Sequence, residues 1–124
     1  MSRWTNAVQV GKNFDAMKQF KQGRGIYRFS ISQSIAYPKG AGKIVYIGKS
    51  SNLGERIAQH LKKSDRESLR AYINSVTKIF VSVKRPRADR RIYIKTMETD
   101  ALKEHVKEYG MTPICNNRNE TKLQ

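Results

Sequence analysis

Residues 25–61 read GIYRFSISQSIAYPKGAGKIVYIGKSSNLGERIAQHL, and the side-chain period changes along this stretch. Over GIYRFSIS, Tyr27, Phe29 and Ile31 alternate with Ile26, Arg28, Ser30 and Ser32, which predicts a strand. Residues 32–43 hold Pro38, Gly40 and Gly42 and read as a loop. KIVYIG is β-branched and aromatic, a second strand antiparallel to the first. From Asn52 the period is helical. Leu53, Ile57 and Leu61 form an i, i+4, i+8 stripe, with Ser51 or Asn52 as the N-cap. Downstream, Leu69, Tyr72 and Ile73 place a short helix over 65–75, and VTKIFVSVK predicts a third strand over 76–84. The basic loop RPRADRR leads into a long helix over 90–109, stopped by Gly110 and Pro113. Upstream, Phe14, Met17 and Phe20 predict a short helix over 12–22. The expected architecture is α+β, a small three-stranded sheet flanked by helices. Residues 1–24 form an N-terminal extension, 25–117 the main domain and 118–124 a polar tail.

A chain of 124 residues fits one compact domain. No apolar run approaches the roughly 20 residues a membrane span needs, and the first residues have no apolar signal core. The single cysteine, Cys115, excludes an internal disulfide and a multi-cysteine zinc site, and fits a reducing, cytoplasmic setting. The charge is the dominant feature. Twenty-five Lys and Arg against ten Asp and Glu leave +15, and a polyanionic partner, nucleic acid first, is the economical explanation. A membrane-surface role lacks the basic amphipathic helix it requires.

P-loop, HExxH and G-x-S-x-G signatures are absent, and His60 and His105 are too far apart in sequence for a zinc cluster. What remains is a set of polar residues in awkward places. Tyr27 and Tyr46 lie in neighbouring strands, and Lys49 follows the second. Arg56 and His60 are four apart and share a helix face beside the Leu53/Ile57 stripe. Glu104 borders the apolar arc of the last helix. Singly, each has an ordinary reading: packing for a strand tyrosine, a solvated face for an Arg/His pair, a surface ion pair for a glutamate. Jointly they supply phosphodiester chemistry: a phenol or imidazole to handle water, cations to neutralise phosphate, and a carboxylate to hold a divalent ion.

Gly25-Ile26-Tyr27 and Tyr46-Ile47-Gly48 resemble the signature of the GIY-YIG nuclease family. Together with GKSSNLGERIAQHL they are most similar to the catalytic module of the bacterial excision-repair incision nuclease. The resemblance places the family's lysine at Lys49, its helix arginine at Arg56 and its following Tyr or His at His60. METDALKEHVKEYGMTPICN resembles the glutamate helix and the Pro-x-x-Asn segment, with Pro113 and Asn116 in place. In the repair-type pattern the metal glutamate precedes the proline by nine residues and the asparagine by twelve. Glu104 meets both spacings and Glu98 does not, which leaves Glu98 a solvated or supporting residue. The 18-residue GIY-to-YIG connection is longer than in the repair module, and the pattern is that of a stand-alone member, as some restriction-type and phage-encoded members are.

The resemblance implies a metal-dependent DNA endonuclease. Tyr27 would be the general base or position the water, assisted by Tyr46 and His60. Lys49 and Arg56 would stabilise phosphate charge. Glu104 would bind one Mg²⁺ or Mn²⁺, and Asn116 would hold the geometry. Lys84, Arg85, Arg87, Arg90 and Arg91 are expected to grip DNA phosphates. Monomer and homodimer both remain open. The rivals are a catalytically silent nucleic-acid binder on the same fold and a small RNA-associated protein using Tyr27, Phe29 and Tyr46 as stacking platforms.

Overall fold

The computed structural model describes residues 3–75, 78–87 and 93–116. Four strands, β1 (Val8–Val10), β2 (Gly25–Tyr37), β3 (Gly40–Ser50) and β4 (Ile79–Lys84), form one antiparallel sheet in the order β1-β4-β2-β3. The helices are α1 (Ala16–Phe20), α2 (Leu53–Lys63), α3 (Glu67–Ser75) and α4 (Ile94–Tyr109), followed by a 3₁₀ turn at Ile114–Asn116. The α+β class is as expected. The sheet has one strand more than the three expected, because β1 is too short to carry a readable period and is defined by its pairing with β4.

The expected loop over 32–43 is mostly strand. Ile35, Ala36 and Tyr37 pair with Gly42, Ala41 and Gly40, so the hairpin turns at Pro38 and Lys39 alone. Pro38, which has no N–H for a ladder, therefore lies in the turn, where none is needed. The Tyr37 hydroxyl ties this end to the C-terminus. It donates to the Ile44 carbonyl at 2.7 Å and accepts from the Ile114 amide at 3.0 Å. The α2 cap falls on Asn52, whose side chain accepts from the Glu55 amide.

The sheet is covered on both faces, and strand alternation assigns each residue to one of them. Tyr27, Phe29, Ile31, Val81 and Val83 pack with Leu53, Ile57, Leu61, Leu69 and Ile73 of α2 and α3. Val10, Ala16 and Phe20 belong to this same core, so the N-terminal segment supplies it with a strand and a helix. Ile26 and Ile47, with Met97 of α4, are buried outside that cluster, on the face where α4 packs against β2 and β3. A bulge adjusts the alternation in β3. Phe29 pairs with Tyr46 and Ser30 with Ile44, leaving Val45 as the extra residue. Val45 and Tyr46 thereby both enter the larger core, and a bulge is a common device for re-aiming a side chain beside a site.

Candidate active site

The two tripeptides of the signature face each other, with Tyr27 opposite Gly48 and Phe29 opposite Tyr46. Gly48 is where Tyr27 lies down. A Cβ on Gly48 would meet both Cζ and Oη of Tyr27 at 2.5 Å, and Cε2 of Tyr46 at 2.9 Å. Gly25 is sterically fixed as well, its Cβ position being 2.5 Å from the Lys84 carbonyl oxygen. The glycines of both tripeptides are thus places where a side chain or a neighbouring strand passes too close for a methyl group.

Tyr27 is 1% exposed, and its hydroxyl lies 2.8 Å from Nε2 of His60. On the other side of that ring, Nδ1 lies 2.7 Å from Oγ of Ser64, the residue that ends α2. Tyr27, His60 and Ser64 form a buried hydrogen-bonded chain in which the imidazole links two hydroxyls. Burial pushes the Tyr27 phenol well above its ordinary range and Tyr46 adds to the rise, while the adjacent Arg56 guanidinium pulls the other way. Burial, reinforced by Arg56, pulls His60 down to about 4. At neutral pH the phenol is protonated and the imidazole neutral. The rings of Tyr46 and His60 meet nearly edge to face at 5.6 Å.

Arg56 and Lys49 reach solvent, with side chains 31% and 43% exposed. The Arg56 guanidinium is anchored by both carboxylate oxygens of Asp65 at 3.1 and 3.3 Å, and by Gln59. The Lys49 ammonium lies 3.3 Å from the carboxylate of Glu98. The Asn116 side chain pairs with both backbone groups of Ile47 at 2.8 Å, filling the outer edge of β3 next to Tyr46 as a neighbouring strand would.

Glu104 stands apart from this group. It lines a recess with Trp4, Arg28, Ile44, Ile47, His105 and Glu108, on the face opposite Tyr27. Glu98 is also on α4, but six residues nearer the helix start, a displacement of about 9 Å along the axis. Glu98 bonds Lys49, which follows the signature and, paired with Ile26, lies on this same face. The spacing from Pro113 and Asn116 that singles out Glu104 counts residues, and which turn of α4 reaches Lys49 is a separate matter of docking. Among the described residues no three His, Cys, Asp or Glu side chains form a metal cluster. A single carboxylate still suits a cation such as Mg²⁺, which keeps several waters and takes phosphate oxygens from its substrate.

Of the expected DNA contacts, Lys84 is half-buried and Arg85 and Arg87 are exposed. Arg85 already donates to the Phe20 carbonyl at the end of α1. Arg90 and Arg91 lie outside the described residues. Sequence reasoning passed over Ser64, Asp65 and Arg66. Of these, Ser64 alone had a legible signal, since it follows His60 by four residues, the spacing that joins Arg56 to His60.

The antiparallel sheet thus brings together two neighbouring tyrosines, a buried histidine, a tethered arginine and an edge lysine. The chain belongs to the GIY-YIG family: the GIY-YIG catalytic domain matches residues 23–109, and this domain defines a family of nucleases. Neither a search of curated proteins nor one of solved structures returned a match. No helix among the described residues is long and apolar enough to cross a membrane.

Proposed function

We propose that this chain is a DNA endonuclease that uses one divalent cation to hydrolyse a phosphodiester at the Tyr27–Gly48 end of the sheet. The observation that carries the reading is the Tyr27–His60 hydrogen bond beside the Arg56 guanidinium. A protonated phenol cannot accept a proton unless it releases its own. His60, neutral and within hydrogen-bond distance, is the acceptor. As the water oxygen attacks phosphorus, its proton passes to Tyr27 Oη and the Tyr27 proton to His60 Nε2, while the bond to the 3′ oxygen breaks and that oxygen takes a proton from solvent. Arg56 and Lys49 meet the phosphate first, since they reach solvent, and offset the charge that grows on its oxygens. Asn116 keeps β3 in register beside Tyr46.

Glu98 takes the metal role that spacing had given to Glu104, supported by its 3.3 Å contact with Lys49, the residue that follows the second signature tripeptide. When bound there, Mg²⁺ or Mn²⁺ supplies Lewis-acid stabilisation of the phosphate and the leaving 3′ oxygen. Lys84 and Arg87 extend the basic surface that DNA would follow. The experiment is cleavage of single-stranded, nicked and duplex DNA by wild type, Tyr27→Phe and Arg56→Ala, with binding measured in parallel. Both variants should lose cleavage and keep most of their binding. Undiminished cleavage by Tyr27→Phe would refute the proton path.

A further inference from the structure

Between α2 and α3 the chain passes through Ser64, Asp65 and Arg66, and each of these consecutive residues reaches a different side chain of the site. Ser64 Oγ lies 2.7 Å from His60 Nδ1. Asp65 holds the Arg56 guanidinium through both oxygens, at 3.1 and 3.3 Å. The Arg66 guanidinium stands 5.1 Å from the centre of the Tyr46 ring and donates to the Cys115 carbonyl at 3.3 Å, one residue before Asn116. We infer that the Ser64-Asp65-Arg66 junction is a positioning device that sets the orientation of His60, Arg56 and Tyr46 together, an inference that rests on the nuclease reading of the same site.

The junction is itself fixed. Ser64 is 1% exposed, its Oγ accepts from the Arg66 amide, and its carbonyl accepts from Arg70 of α3 at 3.0 Å. The three contacts do different work. Ser64 holds the plane of the imidazole through Nδ1, and for Nε2 to accept the Tyr27 proton Nδ1 must carry its own and donate it to Ser64 Oγ. Asp65 holds a flexible cation in one rotamer on the Tyr27 side of α2. Arg66 lays a cation on the π-face of Tyr46, an attraction of ordinary cation–π type, and links that ring to the turn that carries Asn116. A junction placed only to join two helices would need none of these side-chain contacts to the site.

The test is single-turnover cleavage and DNA affinity for wild type, Ser64→Ala, Asp65→Asn and Arg66→Gln, with the Ser64→Thr variant as a rescue. Nitrogen-15 NMR of the His60 ring is recorded in wild type and in the Ser64 variants. Each of the three substitutions should lower the cleavage rate by on the order of tenfold with little change in DNA affinity. Ser64→Thr should restore much of the Ser64→Ala loss. Ser64→Ala should also shift the His60 tautomer balance, and should cost nothing further in a His60→Ala background, since it acts through that ring. Wild-type rates in all three variants, or an unchanged His60 spectrum in Ser64→Ala, would overturn the junction's role while leaving the nuclease reading intact. A wild-type chain that cuts no DNA would overturn the nuclease reading and the junction's catalytic role with it.

Discussion

A methyl group at position 48 would end 2.5 Å from the hydroxyl end of Tyr27, against the side chain whose hydroxyl bonds His60. Gly48→Ala should therefore destabilise the protein by about 1–3 kcal/mol, the usual cost of overpacking. It should also reduce cleavage out of proportion, because the displaced group is the one that would handle the proton. Thermal melting beside cleavage rates checks this, and a variant that melts like wild type and cuts like wild type would show that Tyr27 can move without consequence. The residue scale is also where the sequence was most and least legible. Tyr27, Tyr46, Arg56 and His60 could be picked out because they sit at signature positions or at helical spacing, and the structure gathers them on one face. The contact of Glu98 with Lys49 could not, because it depends on how α4 docks against β3. Asp65 could not either: its contact with Arg56 spans a helix end, where no period connects the two.

Strand β1 and helix α1 bury Val10, Ala16 and Phe20 in the main core, and Arg85 at the end of β4 bonds the last carbonyl of α1. Deleting residues 1–20 removes both elements and uncovers the outer edge of β4. The truncated chain is expected to lose its cooperative thermal transition, and circular dichroism against temperature reads this directly. A truncated chain that melts as sharply and as high as the full one would show these contacts to be dispensable. β2, β3, α2 and α3 were legible because each has a period long enough to recognise. β1 is three residues long and has none. The second half of the hairpin was obscured by Pro38, Gly40 and Gly42, which mark a turn correctly but do not say how tight it is.

For the whole molecule, charge and protonation make two predictions. The excess of 25 basic over ten acidic residues should make DNA binding steeply salt-dependent, and Lys84→Gln with Arg87→Gln should flatten the slope by nearly one unit per lost contact. An unchanged slope in fluorescence titrations would place the DNA track elsewhere on the surface. Burial holds His60 and His105 below their ordinary values, so the unfolded chain binds more protons than the folded one as pH falls. The stability that follows is complete above pH 6.5 and is lost as pH drops toward about 4. The His60→Gln variant should show a shallower fall in melting temperature over that window by about one proton's worth, leaving the part due to His105. A slope equal to wild type would mean that His60 is charged in the folded state. The central claim, cation-dependent phosphodiester cleavage with Glu98 as the carboxylate, is tested most directly by the nicking rate of supercoiled DNA in Mg²⁺ and in EDTA for wild type, Glu98→Gln and Glu104→Gln. The account predicts nicking by wild type and Glu104→Gln in Mg²⁺ only, and none by Glu98→Gln. Nicking by wild type in EDTA, or loss of nicking in Glu104→Gln with Glu98→Gln still active, would contradict it.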